Sequence, residues 1–168
     1  MDGGCLDIAI SNQPDILGLN RWSIHLYKQF QDPAVQAHGT NPVLTVFECV
    51  GNPHHYLLGI VTIQDVIFDL NHLQTVCITE GMVNADFEIA DETLREVPVD
   101  NTSDEFTSQI WVLDALDALY DVEVISNEDF AQVHEALADI HQSVEDIGQD
   151  YLLDILPIVE AEMGFTFD

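Results

Sequence analysis

A chain of 168 residues with 31 acidic side chains and only three basic ones, Arg21, Lys28 and Arg95, carries a formal charge of -28. Phosphate backbones are bound mainly by lysine and arginine that displace counterions, and a field of this sign repels polyanions, so direct binding to nucleic acid or to an anionic membrane is excluded. The apolar fraction of 47% is too high for an acidic disordered tail, and the length suits one domain with a real core.

The opening residues Met1-Asp2-Gly3-Gly4-Cys5 lack the positive region and long apolar run of a secretory signal. No stretch reaches the ~20 apolar residues that cross a bilayer. Three scattered cysteines, Cys5, Cys49 and Cys77, suit a reducing compartment and form no disulfide framework. Cytoplasm is the expected location, with the nucleus as the alternative. Without export, the glycosylation sequon at Asn101-Thr102-Ser103 is idle.

Residues 21–27 alternate, with Trp22, Ile24 and Leu26 on one face, and predict a first strand. Turn signals at Gln31-Asp32-Pro33 and His38-Gly39-Thr40-Asn41-Pro42 precede a nearly all-apolar strand over 43–50. Gly51-Asn52-Pro53 turns into a strand over 56–63. A fourth is expected at 75–79 and a fifth at 83–89. Cys49 and Cys77 are both expected to be buried.

Beyond Pro98 the pattern turns helical. Phe106, Ile110, Leu113 and Leu116 recur at helical spacing from about residue 104, while Asp114, Asp117 and Asp121 form a stripe turned to water. Ser126 with Asp129 is an N-cap signature. It opens a helix bearing Phe130, Val133, Leu137, Ile140 and Val144, with Gly148 at its end. Residues 151–163 predict a further helical segment, bent or restarted at Pro157. Strands over about 20–90 and helices over about 104–163 give a single α+β domain spanning 1–168, an antiparallel sheet packed against C-terminal helices.

Phosphate loops, dinucleotide fingerprints, nucleophile elbows and metal-binding helix motifs are missing. The neighbours His54 and His55 would point to opposite faces of a strand. His134, His141 and Glu145 share a helix face, and such a set more often marks an exposed surface than a metal site. No metal and no cofactor are expected.

Two segments together carry a family likeness: Arg21-Trp22-Ser23-Ile24-His25-Leu26-Tyr27 with Val46-Phe47-Glu48-Cys49-Val50-Gly51, and Thr107-Ser108-Gln109-Ile110-Trp111-Val112-Leu113-Asp114-Ala115-Leu116. The order resembles the circularly permuted papain-like fold of the NlpC/P60 and lecithin-retinol-acyltransferase type, as found in small fungal proteins of unassigned function. In that family a histidine precedes the strand tryptophan, and a cysteine followed by glutamine opens a helix whose dipole helps to acidify the thiol. The resemblance therefore places Arg21 at the base position and Ser108 at the nucleophile position. Arginine stays protonated, and a serine needs a positioned base. With both partners replaced, the resemblance implies a catalytically silent domain acting as an acidic protein-binding or regulatory module for a cationic partner.

Its candidate binding residues are Arg21, Trp22, Gln109, Asp114, Asp117 and Asp121. The alternative is an enzyme acting on a small molecule or ester, with Ser108 as nucleophile, His25 or His55 as base and Glu48 as orienter. A further alternative is a mimic of DNA. On plain packing grounds Trp22 and Trp111 are core aromatics. Arg21 is expected to pair with a carboxylate such as Glu48, the lone charge in an apolar strand.

Overall fold

The computed structural model describes residues 3–15, 18–29, 43–63 and 72–141. Five strands come first: β1 (Gly3–Pro14), β2 (Asn20–Gln29), β3 (Val43–Asn52), β4 (His55–Ile63) and β5 (His72–Met82). Among the described residues three helices follow: α1 (Asn84–Glu96), α2 (Ser108–Asp121) and α3 (Asn127–Ala138). The strands form one antiparallel sheet in the order β4-β3-β2-β1-β5. This is the α+β arrangement expected from the sequence.

Period-2 alternation decides which face of the sheet is buried. Leu6, Ile8 and Ile10 of β1 stand opposite Leu26, Ile24 and Trp22 of β2. Phe47 pairs with Ile24 on one side and Ile60 on the other. These residues make the inner face, which packs against Ala90 and Leu94 of α1, Trp111, Val112, Ala115, Leu116 and Leu119 of α2, and Val133 and Leu137 of α3. α2 lies over β2 and β3, α1 leans on β1 and α2, and α3 reaches β5. Both tryptophans are fully buried, as core aromatics should be, and each large buried side chain contributes about 1.5–3 kcal/mol.

Several boundaries differ from expectation. β1 was not foreseen, although Leu6, Ile8 and Ile10 alternate. Residues 83–89 are not a strand. Val83 is the N-cap and 84–89 form the first turns of α1, because Phe87, Ala90 and Leu94 share one helical face and the last two are buried. α2 starts at Ser108 rather than near 104, since Thr107 is its N-cap and accepts from the Ile110 amide at 3.3 Å. Phe106 thus packs from the loop, edge to face with Tyr56. The cap at Ser126 is present, accepting from the Asp129 amide at 3.1 Å. α3, however, closes at Ala138, where Ile140 and His141 both donate back to the Leu137 carbonyl. Cys49 is buried, but Cys77 is exposed, on the outer face of β5. The turns at 31–33 and 38–42, Val144, Glu145, Gly148 and the segment 151–163 lie outside the described residues.

Two glycines are set by local geometry. A Cβ at Gly4 would stand 2.9 Å from the ring of Phe87, so its absence lets α1 close on β1. Gly51 has φ +127°, and a Cβ there would meet the His55 carbonyl at 2.5 Å. With His54 at φ 67°, it shapes the β3–β4 turn.

Candidate functional site

The start of α2 meets the ends of β2 and β3 at a cleft of about 220 Å³, lined by Asp15, Arg21, Cys49, Val50, Gly51, Tyr56 and Ser108. Ser108 comes from the first turn of the helix, Arg21 from β2, Tyr56 from β4, and Asp15 from the turn that follows β1. Asp15 shapes that turn itself, with Oδ1 accepting from the Leu19 amide at 3.0 Å. Arg21 and Ser108 thus line one cleft, and the Oγ of Ser108 also contacts the amide of Trp22 at 3.4 Å.

Among the described residues, Ser108 has no histidine as a hydrogen-bond partner. Ser108 is 2% exposed, and its Oγ accepts from a main-chain N–H. The Nε and Nη2 of Arg21 donate to the same oxygen of Glu48, Oε1, at 2.7 and 2.5 Å. Burial pushes the Cys49 thiol up to about 12, with the Glu48 charge adding to the effect. Burial likewise pushes the Tyr56 phenol up to about 12, helped by Asp15 and Cys49. Both stay neutral at physiological pH. The Tyr56 hydroxyl and the Trp22 indole N–H are buried and find no hydrogen-bond partner among the described residues.

The other candidates are dispersed. His25 lies on the outer face of the sheet beside Val46, its Nε2 3.1 Å from the Oγ of Ser23, whereas Ser108 lies under the inner face. His55 is exposed at the start of β4. His54 is in the turn rather than on a strand. Its Nδ1 meets the Asn101 carbonyl at 2.9 Å and its Nε2 meets Asp104 at 2.7 Å. Glu48 is bound by Arg21 and is not directed to a histidine. Gln109 is fully buried and structural, donating to the Asn20 carbonyl at 2.9 Å. Trp22 is inside the core, with His141 edge-on to it at 5.9 Å.

Asp114, Asp117 and Asp121 are all exposed on α2. His134 of α3 stands over Phe130 and 3.8 Å from Asp117. Among the described residues no group of three or more His, Cys, Asp and Glu could hold a metal ion, and no helix is long and apolar enough to cross a membrane. Asp15 and Tyr56 were missed as cleft residues. The only signal for them was turn chemistry, at Pro14-Asp15 and at 51–55. Compared with known proteins, the chain matches no family model, no curated protein and no solved structure.

Proposed function

We propose that this chain is a catalytically silent papain-like domain that acts as an acidic protein-binding or regulatory module. The observation that carries the reading is the helical layer. α2 and α3 together have six acidic residues (Asp114, Asp117, Asp121, Glu128, Asp129 and Glu135) and no lysine or arginine. Such a face attracts and orients a cationic partner. The silent half of the reading is supported by Ser108, which sits at a helix start beside Trp22 but is buried and has no histidine partner among the described residues.

The test is binding of a lysine-rich peptide measured by calorimetry, using the full chain and the triple variant Asp114→Asn, Asp117→Asn, Asp121→Asn. The wild type should bind, weaken at least ~10-fold when salt is raised enough to shorten the screening length from about 30 to about 8 Å, and bind better than the variant. Equal affinity for the variant, or no effect of salt, would sink the acidic-face reading. Turnover of a model ester that Ser108→Ala abolishes would sink the silent one.

A further inference from the structure

The outer face of the sheet is different in character from the rest of this molecule. Residues 33–64 contain one charged side chain, Glu48, where a chain that is 20% charged would carry roughly six. Glu48 is neutralised by Arg21. β4 has no charge at all, yet Leu57, Val61 and Ile63 are 71, 56 and 36% exposed on its outer face. They stand opposite Val50 and Val46 of β3, both half-buried, and Leu44, which is buried, so the stripe is two strands wide at Leu57 and Val61.

Among the described residues β4 is also an edge strand, bonded on one side only, to β3. In an antiparallel ladder alternate residues turn both N–H and C=O to the same side. Those of Tyr56 are taken by the side chain of Asn101, whose Oδ1 accepts from the Tyr56 amide at 2.7 Å and whose Nδ2 donates to its carbonyl at 3.1 Å. Tyr56 therefore faces away from β3, and Leu58, Ile60 and Thr62 share its parity. No main-chain bond from these three on that side occurs among the described residues. Charges, prolines and bulges normally blunt such an edge, and β4 has none of them.

We propose that two copies of this chain pair through β4, antiparallel and about a two-fold axis at Ile60, joining their sheets into one. Asn101 closes the edge at Tyr56 and the strand ends at Ile63. The stretch left open among the described residues, 57–63, is thus symmetric about Ile60, and only that register uses all of it. Leu58 then faces Thr62 of the second copy and Ile60 faces Ile60, giving about six N–H···O bonds. On the outer face Leu57 meets Ile63 of the second copy, and Val61 covers the bare backbone of Gly59. Charge selects the occupant. A like-charged molecule of -28 can approach without burying or opposing carboxylates only where the surface is neutral, whereas this face offers a cationic segment nothing to pair with.

The experiment is sedimentation equilibrium of the full chain, together with Val61→Lys and Thr62→Pro, each checked for unchanged far-UV circular dichroism. Thr62 is exposed, and proline on an edge strand removes only the outward N–H. The wild type should have about twice the 18.8 kDa chain mass, and its association should tighten with salt as repulsion is screened. Val61→Lys should weaken the dimer ~100-fold and Thr62→Pro at least ~10-fold. Amide exchange on the wild type, which needs no variant, should show Leu58, Ile60 and Thr62 gaining protection as concentration rises. A monomer at every concentration and salt overturns the proposal, as does a dimer that persists in both variants. Loss with Val61→Lys but not with Thr62→Pro would mean stacking of faces and overturns the edge pairing. Protection that ignores concentration would mean that the chain covers its own edge, and overturns it too.

Discussion

Arg21 is the most consequential single side chain in the cleft. Glu48 is 21% exposed and has Arg21, itself 36% exposed, as its cation. Arg21→Met would leave a mostly buried carboxylate unpaired. A fully buried pair would cost 3–5 kcal/mol to break and an exposed one at most about 1. Solvent at the guanidinium places this case near 1–2 kcal/mol. Urea unfolding of Arg21→Met and of the double variant Arg21→Met, Glu48→Leu checks it. The single change should destabilise and the second should recover most of the loss, while an unaffected single variant would show that the pair is idle. This tie was legible in the sequence, because an acid inside an apolar strand and one of only three cations are each conspicuous. The cleft as a whole was not. Asp15, Tyr56 and Ser108 come from three distant stretches, and only the pairing of β2 with β3 and the seat of α2 bring them together.

At the scale of elements, the loop after α1 is held by one asparagine. Asn101 acts as a surrogate strand for Tyr56, and His54 grips the same loop through the Asn101 carbonyl and Asp104. Asn101→Ala should cost about 1–2 kcal/mol, since two hydrogen bonds are lost and the Tyr56 groups are left to water. It should also speed amide exchange at Tyr56, and exchange equal to that of the wild type would rule out the clamp. Elements with a long, clean period were readable: β2, β3, β4, and α2 apart from its first turn. β1 was missed because Gly3, Gly4 and the polar end of the strand dilute its alternation. α1 was misread because Val83, Ala85, Phe87 and Ile89 do alternate. What decides for the helix is burial of Ala90 and Leu94 against the sheet, a tertiary choice that a short window does not contain.

For the whole molecule, charge governs how stability varies with pH. Burial raises Asp7 above its ordinary 3.8, with Glu80 adding and the Cys77 thiol partly offsetting. Asp114, desolvated by its surroundings though exposed on α2, is raised as well, with Asp117 and Asp100 contributing. Raised carboxylates hold protons more tightly when folded, so their cost is relieved as pH falls through the raised values toward 3.8. His54 is raised above 6.5 by its bond to the Asn101 carbonyl and then by Asp104. Its contribution is complete below 6.5 and is lost as pH rises through the folded value. Asp100 runs the other way. It is lowered by the hydroxyl and amide of Thr102, so its contribution is lost only below 3.8. The melting temperature should therefore climb as pH is lowered from about 8 to about 5, rise with salt near neutrality, and fall in stronger acid. A steady decline from pH 8 downward would refute the self-repulsion account.

The strand order has a consequence in time. β1 precedes the other described strands, and β2, β3 and β4 can add to it in sequence through neighbouring connections. Its other side is completed only by β5, more than sixty residues later in the chain. Until then the nascent sheet has two open borders, and the hydrophobic layer that α2 covers is bare. Pairings of such long sequence separation slow the search for the native state. On a ribosome adding ~5–20 residues per second, the interval before β5 emerges amounts to several seconds. Over that interval the acids already made, Asp2, Asp7, Asp15, Asp32, Glu48, Asp65 and Asp69, supply the mutual repulsion that keeps neighbouring nascent chains apart. The same charge that costs the finished protein stability thus protects it while it is being built.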